Sequence, residues 1–159
     1  MDIGCGTFPY FLSYTSFQEK FAVDKQSPSQ ILADIQWHTL NLDVEPYLPF
    51  EDSYFSCITL LAVIEHLDPI NLVSLLAEVY RVLHPGGVLI LTTPAAWSDG
   101  ILKRMARWNL VSAEEINEHK FAYTLPLLGW YFGKAGFEMR KVKFGYFEWM
   151  FNLWAVAER

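Results

Sequence analysis

The chain has 159 residues, 52% of them apolar and 19% charged, a balance that excludes a disordered segment and fits one globular domain. Its 12 Lys and Arg against 18 Asp and Glu give a net charge of −6, which argues against a nucleic-acid partner. The longest apolar run, 58–64 interrupted by Thr59, is far too short for a membrane span.

The start, Met1-Asp2-Ile3-Gly4, carries neither a basic nor an apolar run, so no signal peptide is expected. Cys5 and Cys57 stand apart with no CxxC pair, which predicts reduced thiols in a cytoplasmic protein rather than a disulfide frame or a zinc site. Phe21–Val23 predicts a short strand ending at Asp24. Ser27-Pro28 then predicts a helix start, with Ile31, Leu32 and Ile35 as its inner stripe, and Thr39–Val44 a second strand. Phe55–Ile64 is nearly continuous in apolar residues, as in a strand buried on both faces. Asp68-Pro69 caps a helix whose stripe is Leu72, Leu75, Leu76, Val79 and Val82, and His84-Pro85-Gly86-Gly87 stops it. Val88–Thr93 predicts another strand, ended by Pro94.

Residues 95–120 break this rhythm. Trp97, Ile101, Leu102, Met105 and Trp108 suggest an amphipathic helix, and Ser112 to Glu115 forms a capping box. A further helix follows on Leu125, Leu128, Phe132 and Ala135, stopping at Gly136. Phe137–Phe144 and Asn152–Ala157 predict the last two strands. Lys103, Arg104 and Arg107, and Arg140, Lys141 and Lys143, read as solvated faces. Seven of the eleven residues from Phe144 to Trp154 are aromatic or Met, which predicts a buried strand pair, a homodimer face, or the wall of an apolar pocket. Strands alternating with helices predict βαβ units and a mostly parallel sheet. The expectation is a single domain over 1–159, with 95–120 as a substrate-binding insertion after a strand.

The residues with chemical promise come in an ordered set. Asp2 precedes Gly4-x-Gly6, a pair of glycines that lets backbone turn tightly and approach a ligand. Asp24, at the end of the next strand, could accept both hydroxyls of a ribose. Asp43, past a third strand, could accept an adenine amino group. Pro9 stands where a dinucleotide fingerprint needs its third glycine, which counts against a nicotinamide oxidoreductase, and there is no G-K-[ST] of a P-loop.

Asp2-Ile-Gly-Cys-Gly6-Thr resembles motif I of the class I S-adenosylmethionine (SAM)-dependent methyltransferases. Leu48-Pro49-Phe50-Glu51-Asp52 through Phe55, with Val63-Ile64-Glu65-His66-Leu67, is similar to the stretch around their fourth strand. Glu78 to Gly87, continuing to Thr93-Pro94, matches the entry to their fifth. Glu118-His119 and Lys134-Ala135-Gly136-Phe137 are similar to the small-molecule, type 11-like members. The resemblance covers almost the whole chain. It implies a Rossmann-like, doubly wound three-layer α/β/α fold and methyl transfer from SAM to a small acceptor, with S-adenosylhomocysteine as product. It implies that Asp2, Gly4, Cys5 and Gly6 form the loop under the methionine part, that Asp24 binds the ribose with Lys25 beside it, that Asp43 and Val44 hold the adenine, and that Leu61 and Ala62 meet the methionine end. The chain departs from the pattern at Phe8, where a third glycine is usual, and at its start, where a truncated first strand and no helical cap are expected. That departure motivates an alternative: a catalytically weak or inactive SAM-binding scaffold.

Methyl transfer is an in-line displacement that rests on positioning, and oxygen nucleophiles need a base. His66, after the fourth strand, and His119, in the insertion, are the candidate bases. Glu65 reads as a structural hydrogen-bond acceptor, and His38 and His84 as surface or turn residues. Glu65-His66 lacks a further ligand at helix spacing, so no metal site is expected. Trp97, Trp108, Tyr123 and Tyr146 are candidate walls for a small, apolar or sugar-like acceptor.

Overall fold

The computed structural model describes residues 1–98 and 120–159. Seven strands form one sheet: β1 (Asp2–Ile3), β2 (Lys20–Asp24), β3 (Ile35–Thr39), β4 (Phe55–Leu61), β5 (Leu83–Pro94), β6 (Val142–Phe147) and β7 (Asn152–Glu158). Their order is β3-β2-β1-β4-β5-β7-β6. The first five run parallel, β7 is antiparallel to β5, and β6 is antiparallel to β7. Among the described residues the α-helices are α1 (Tyr10–Ser13), α2 (Pro69–Val82) and α3 (Leu125–Lys134).

The layers follow from alternation along the strands. Phe21 and Val23 of β2 join the large core with the α2 stripe of Leu72, Leu75, Leu76, Val79 and Val82 and with Leu128 and Phe132 of α3. Ala22, between them, points to the other face and packs with Leu12 of α1 and Ile35. The chain is a three-layer α/β/α sandwich with a mostly parallel sheet, as expected. Asp68 caps α2, its side chain accepting the Ile70 N–H at 2.9 Å. Arg81 on α2 docks the 48–52 loop: it donates to the carbonyls of Leu48 at 2.8 Å and Phe50 at 2.9 Å, and pairs with Glu78 and Asp52.

Several expectations change. No helix follows Ser27-Pro28. Ser29 donates its N–H and hydroxyl to the Thr7 carbonyl at 2.7 and 3.0 Å, which holds the segment irregular, and Ile35 opens β3 instead. The second strand is therefore Ile35–Thr39 rather than Thr39–Val44, and Ile31, expected inside, is 86% exposed. β4 stops at Leu61, where Ala62 turns to φ 55 ahead of the short 3-10 turn Ile64–His66. His84 to Gly87 ends α2 but stays in the sheet as the irregular start of β5, with Leu83 paired to Phe55. A Cβ on Gly87 would lie 2.9 Å from the carbonyls of His84 and Phe55, so this bulge needs glycine. β6 begins only at Val142, after a 3-10 turn at Met139–Lys141. His38 is a packing residue, its ring 4.9 Å from Phe50 and 6.1 Å from Phe21. Ile101 to Glu115, with the helix and capping box expected there, lies outside the described residues.

Candidate active site

Strand order reverses between β1 and β4, and loops at the carboxyl ends of these strands open into the crevice where α/β folds bind ligands. Asp2 on β1 is buried, and Thr59 of β4 donates its hydroxyl to it at 2.5 Å. Burial pushes the Asp2 carboxyl above its ordinary range, against that hydrogen bond. Next, Gly4 and Gly6 both turn left-handed, at φ 76 and 68. The Gly4 N–H donates to the Val23 carbonyl at 2.7 Å, which ties the loop to β2. A Cβ on Gly4 would lie 2.4 Å from Val63 Cγ2, so the loop closes onto the segment after β4. A Cβ on Gly6 would meet nothing within 4 Å. The loop thus offers bare backbone to a neighbour on its open side. Burial, chiefly, pushes the Cys5 thiol up to about 12, which disfavours the thiolate form near neutral pH.

Asp24 ends β2 beside this loop. Its two oxygens accept the N–H groups of Gly6 and Gln26, both at 2.8 Å. It is half-buried, with Lys25 exposed next to it. Asp43 lies in the β3–β4 connection and takes the Asp68 N–H at 2.6 Å and the Lys120 ammonium. Burial pushes the Asp43 carboxyl up, but these two hydrogen bonds outweigh it and hold the group below its ordinary value. Lys25 adds to this effect through its charge. Val44 is 76% exposed, and Leu61 and Ala62 stand half-buried and exposed at the end of β4. The loop, Asp24, Asp43 and the end of β4 therefore gather at one edge of the sheet. A bare glycine cradle with an acidic residue at the tip of the next strand suits a nucleoside-bearing cofactor such as SAM.

Beyond β4, Glu65 is 2% exposed and accepts the Thr93 hydroxyl at 2.9 Å; burial raises its pKa. That agrees with a structural role for Glu65. His66 is half-buried on the same 3-10 turn. The turn is strapped by the returning chain. Lys120 and Phe121 donate their N–H groups to the Glu65 carbonyl at 2.8 and 3.3 Å, and the Tyr123 hydroxyl donates to the Ile64 carbonyl at 3.1 Å. Tyr123 is fully buried, so it is core rather than a pocket wall. His119 and Trp108 lie outside the described residues.

The aromatic run 144–154 forms the β6–β7 hairpin, not a buried pair: Trp149 is 93% exposed and Tyr146 39%. Glu148, Trp149 and Met150 are all left-handed, at φ 50, 57 and 70. Because Pro94 pairs with Asn152, this tip projects from the edge that carries the loop. Trp97, after β5, donates its indole N–H to the Met150 carbonyl at 3.0 Å, and its ring lies 4.9 Å from Phe151.

Thr59 and Lys120 were missed by sequence reasoning, and Val63, named only within the stretch after the fourth strand, was not tied to Gly4. Each acts across the fold, with no local pattern to reveal it. Among the described residues, no group of three or more His, Cys, Asp or Glu could hold a metal ion, and no helix is long and apolar enough to cross a membrane.

A family model described as "Methyltransferase domain" matches residues 1–142. The fold is shared with a SAM-dependent methyltransferase from Archaeoglobus fulgidus, at TM-score 0.73 and 16% identity over 99% of this chain and 84% of that one. It is also shared with one from Mesorhizobium loti, at TM-score 0.72 and 15% identity over 99% and 89%, and one from Methanosarcina mazei, at 0.69 and 19% over 99% and 90%. A search of curated protein sequences returns no match. With the fold, the glycine cradle and the family match in agreement, the chain belongs to the methyltransferase domain family, and it is an S-adenosylmethionine-dependent methyltransferase of the class I, Rossmann-like kind.

Proposed function

We propose that the chain methylates a small-molecule acceptor, acting as a single domain over 1–159 with 95–120 on the acceptor side. The observation that carries the site assignment is the left-handed Gly4–Gly6 loop hydrogen-bonded to Asp24 where strand order reverses. In this reading Asp2 is the buried anchor of the loop, and Asp2, Gly4, Cys5 and Gly6 cradle the methionine part of SAM. Asp24 accepts the ribose hydroxyls through lone pairs left by its two backbone partners, with Lys25 flanking it. Asp43 and Val44 meet the adenine, and Leu61 and Ala62 border the methionine end. When bound, SAM supplies an electrophilic methyl group on a sulfonium centre.

The chain's own share is positioning and proton removal. His66 follows the end of β4, so it is the group to accept the proton of an oxygen or nitrogen nucleophile. His119 is the second candidate base. Trp97 and Tyr146, exposed at the same edge, favour an acceptor with an apolar or ring-shaped face.

The test is calorimetric titration with S-adenosylhomocysteine. Asp24→Ala should weaken binding about ten- to a hundredfold, since it removes charged acceptors from two hydroxyls. Unchanged binding by a folded Asp24→Ala variant would reject the ribose assignment. Radiolabelled methyl transfer to apolar and sugar-like acceptors, with His66→Ala as the impaired control, then tests the acceptor class.

A further inference from the structure

Asp43 does not face solvent with free oxygens. One oxygen takes the Asp68 N–H at 2.6 Å, the other is paired with Lys120, and the Asp43 carbonyl accepts the Asn71 side chain at 2.6 Å. The carboxylate is therefore well fixed, and one of its partners is a charged donor on a long side chain. Lys120 is 49% exposed at its side chain, while its N–H is held by the Glu65 carbonyl. The ammonium can move into water without moving the strap that carries it. An adenine amino group is a neutral donor, and a neutral donor does not displace a charged one without cost.

We propose that Lys120 competes with the adenine amino group for Asp43, so that the cofactor trades an internal ion pair for its own hydrogen bond and Lys120 sets the cofactor affinity. The inference rests on the reading that adenine meets Asp43. A half-exposed ion pair contributes little in water, so the competition is worth about two- to fivefold in affinity. It is also screened by salt, because both partners reach solvent.

Calorimetry with S-adenosylhomocysteine at low and high NaCl tests it on wild type, Lys120→Met, Lys120→Arg, Asp43→Asn and the Lys120→Met/Asp43→Asn double variant, with circular dichroism to check folding. Lys120→Met keeps the backbone bond to Glu65 and should tighten binding about two- to fivefold at low salt. Lys120→Arg should bind like wild type. The gap between wild type and Lys120→Met should narrow at high salt. Equal or weaker binding by Lys120→Met overturns the competition; if Asp43→Asn still weakens binding in the Lys120→Met background, the adenine assignment itself survives. If Asp43→Asn has no effect in that background, adenine does not meet Asp43 and both readings fall. Folded variants that all fail to bind overturn the competition, because Lys120→Met is then weaker than wild type.

Discussion

A side chain at position 4 has nowhere to go. Gly4 combines φ 76 with Val63 methyls 2.4 and 2.8 Å from a built Cβ, whereas Gly6 at φ 68 faces open space. Gly4→Ala should therefore cost about 1–3 kcal/mol in urea denaturation, and Gly6→Ala only about 1 kcal/mol. Val63→Ala added to Gly4→Ala should recover part of the loss by removing the clash. No recovery would mean that the backbone conformation, not the contact, requires glycine. Asp2 makes a pH prediction. Its pKa is raised on folding from an ordinary 3.8, so its favourable contribution is present below that value and is lost as pH rises through the native value. Asp2→Asn keeps an oxygen for Thr59 without the charge. Its stability relative to wild type should improve as pH rises from about 4 towards neutrality, and a flat difference would contradict the buried carboxylate. The Asp2-x-Gly-x-Gly6 signal was legible because it is local in sequence. The Lys120–Asp43 pair was not, because 77 residues separate its partners.

Helix α2 was legible almost residue by residue, and the reason is that all its signals coincide. Asp68 caps it, Pro69 opens it, and its expected stripe is the buried face. Asp68→Ala should cost about 1 kcal/mol by thermal unfolding, because the Ile70 N–H loses its acceptor. The segment after Ser27-Pro28 shows the opposite case. A start signal and an apolar spacing were present, but the Ser29 bonds to Thr7 and the pairing of Ile35 with Lys20 prevail over local preference. At the β6–β7 tip the aromatic run allowed a buried pair, a dimer face or a pocket wall, and the first of these is excluded for a related reason. Aromatic content predicts burial on average, yet three left-handed residues, with the indole of Trp97 bonded to Met150, hold Trp149 out in solvent.

The main core draws on β1, β2, β4, β5, β6 and β7 as one cluster, and β5 pairs with both β4 and β7 in its centre. Unfolding should accordingly be one cooperative step, with far-ultraviolet circular dichroism and tryptophan fluorescence giving coincident transitions. Calorimetry should give a heat-capacity change of about 2 kcal/mol/K for a chain this long. A second, separate transition would argue against the single domain proposed for 1–159.

The sequence by itself determined the class of fold, the glycine loop and the acidic residues around it, and the family that these imply. Those features are written in short runs and in hydrophobic period, which the backbone must obey locally. The tertiary structure alone decided where β3 begins, why Gly4 admits no side chain, that Tyr123 is core, and that Lys120 sits on Asp43. Each of these depends on which distant residues share a few ångströms of space, and sequence spacing carries no record of that.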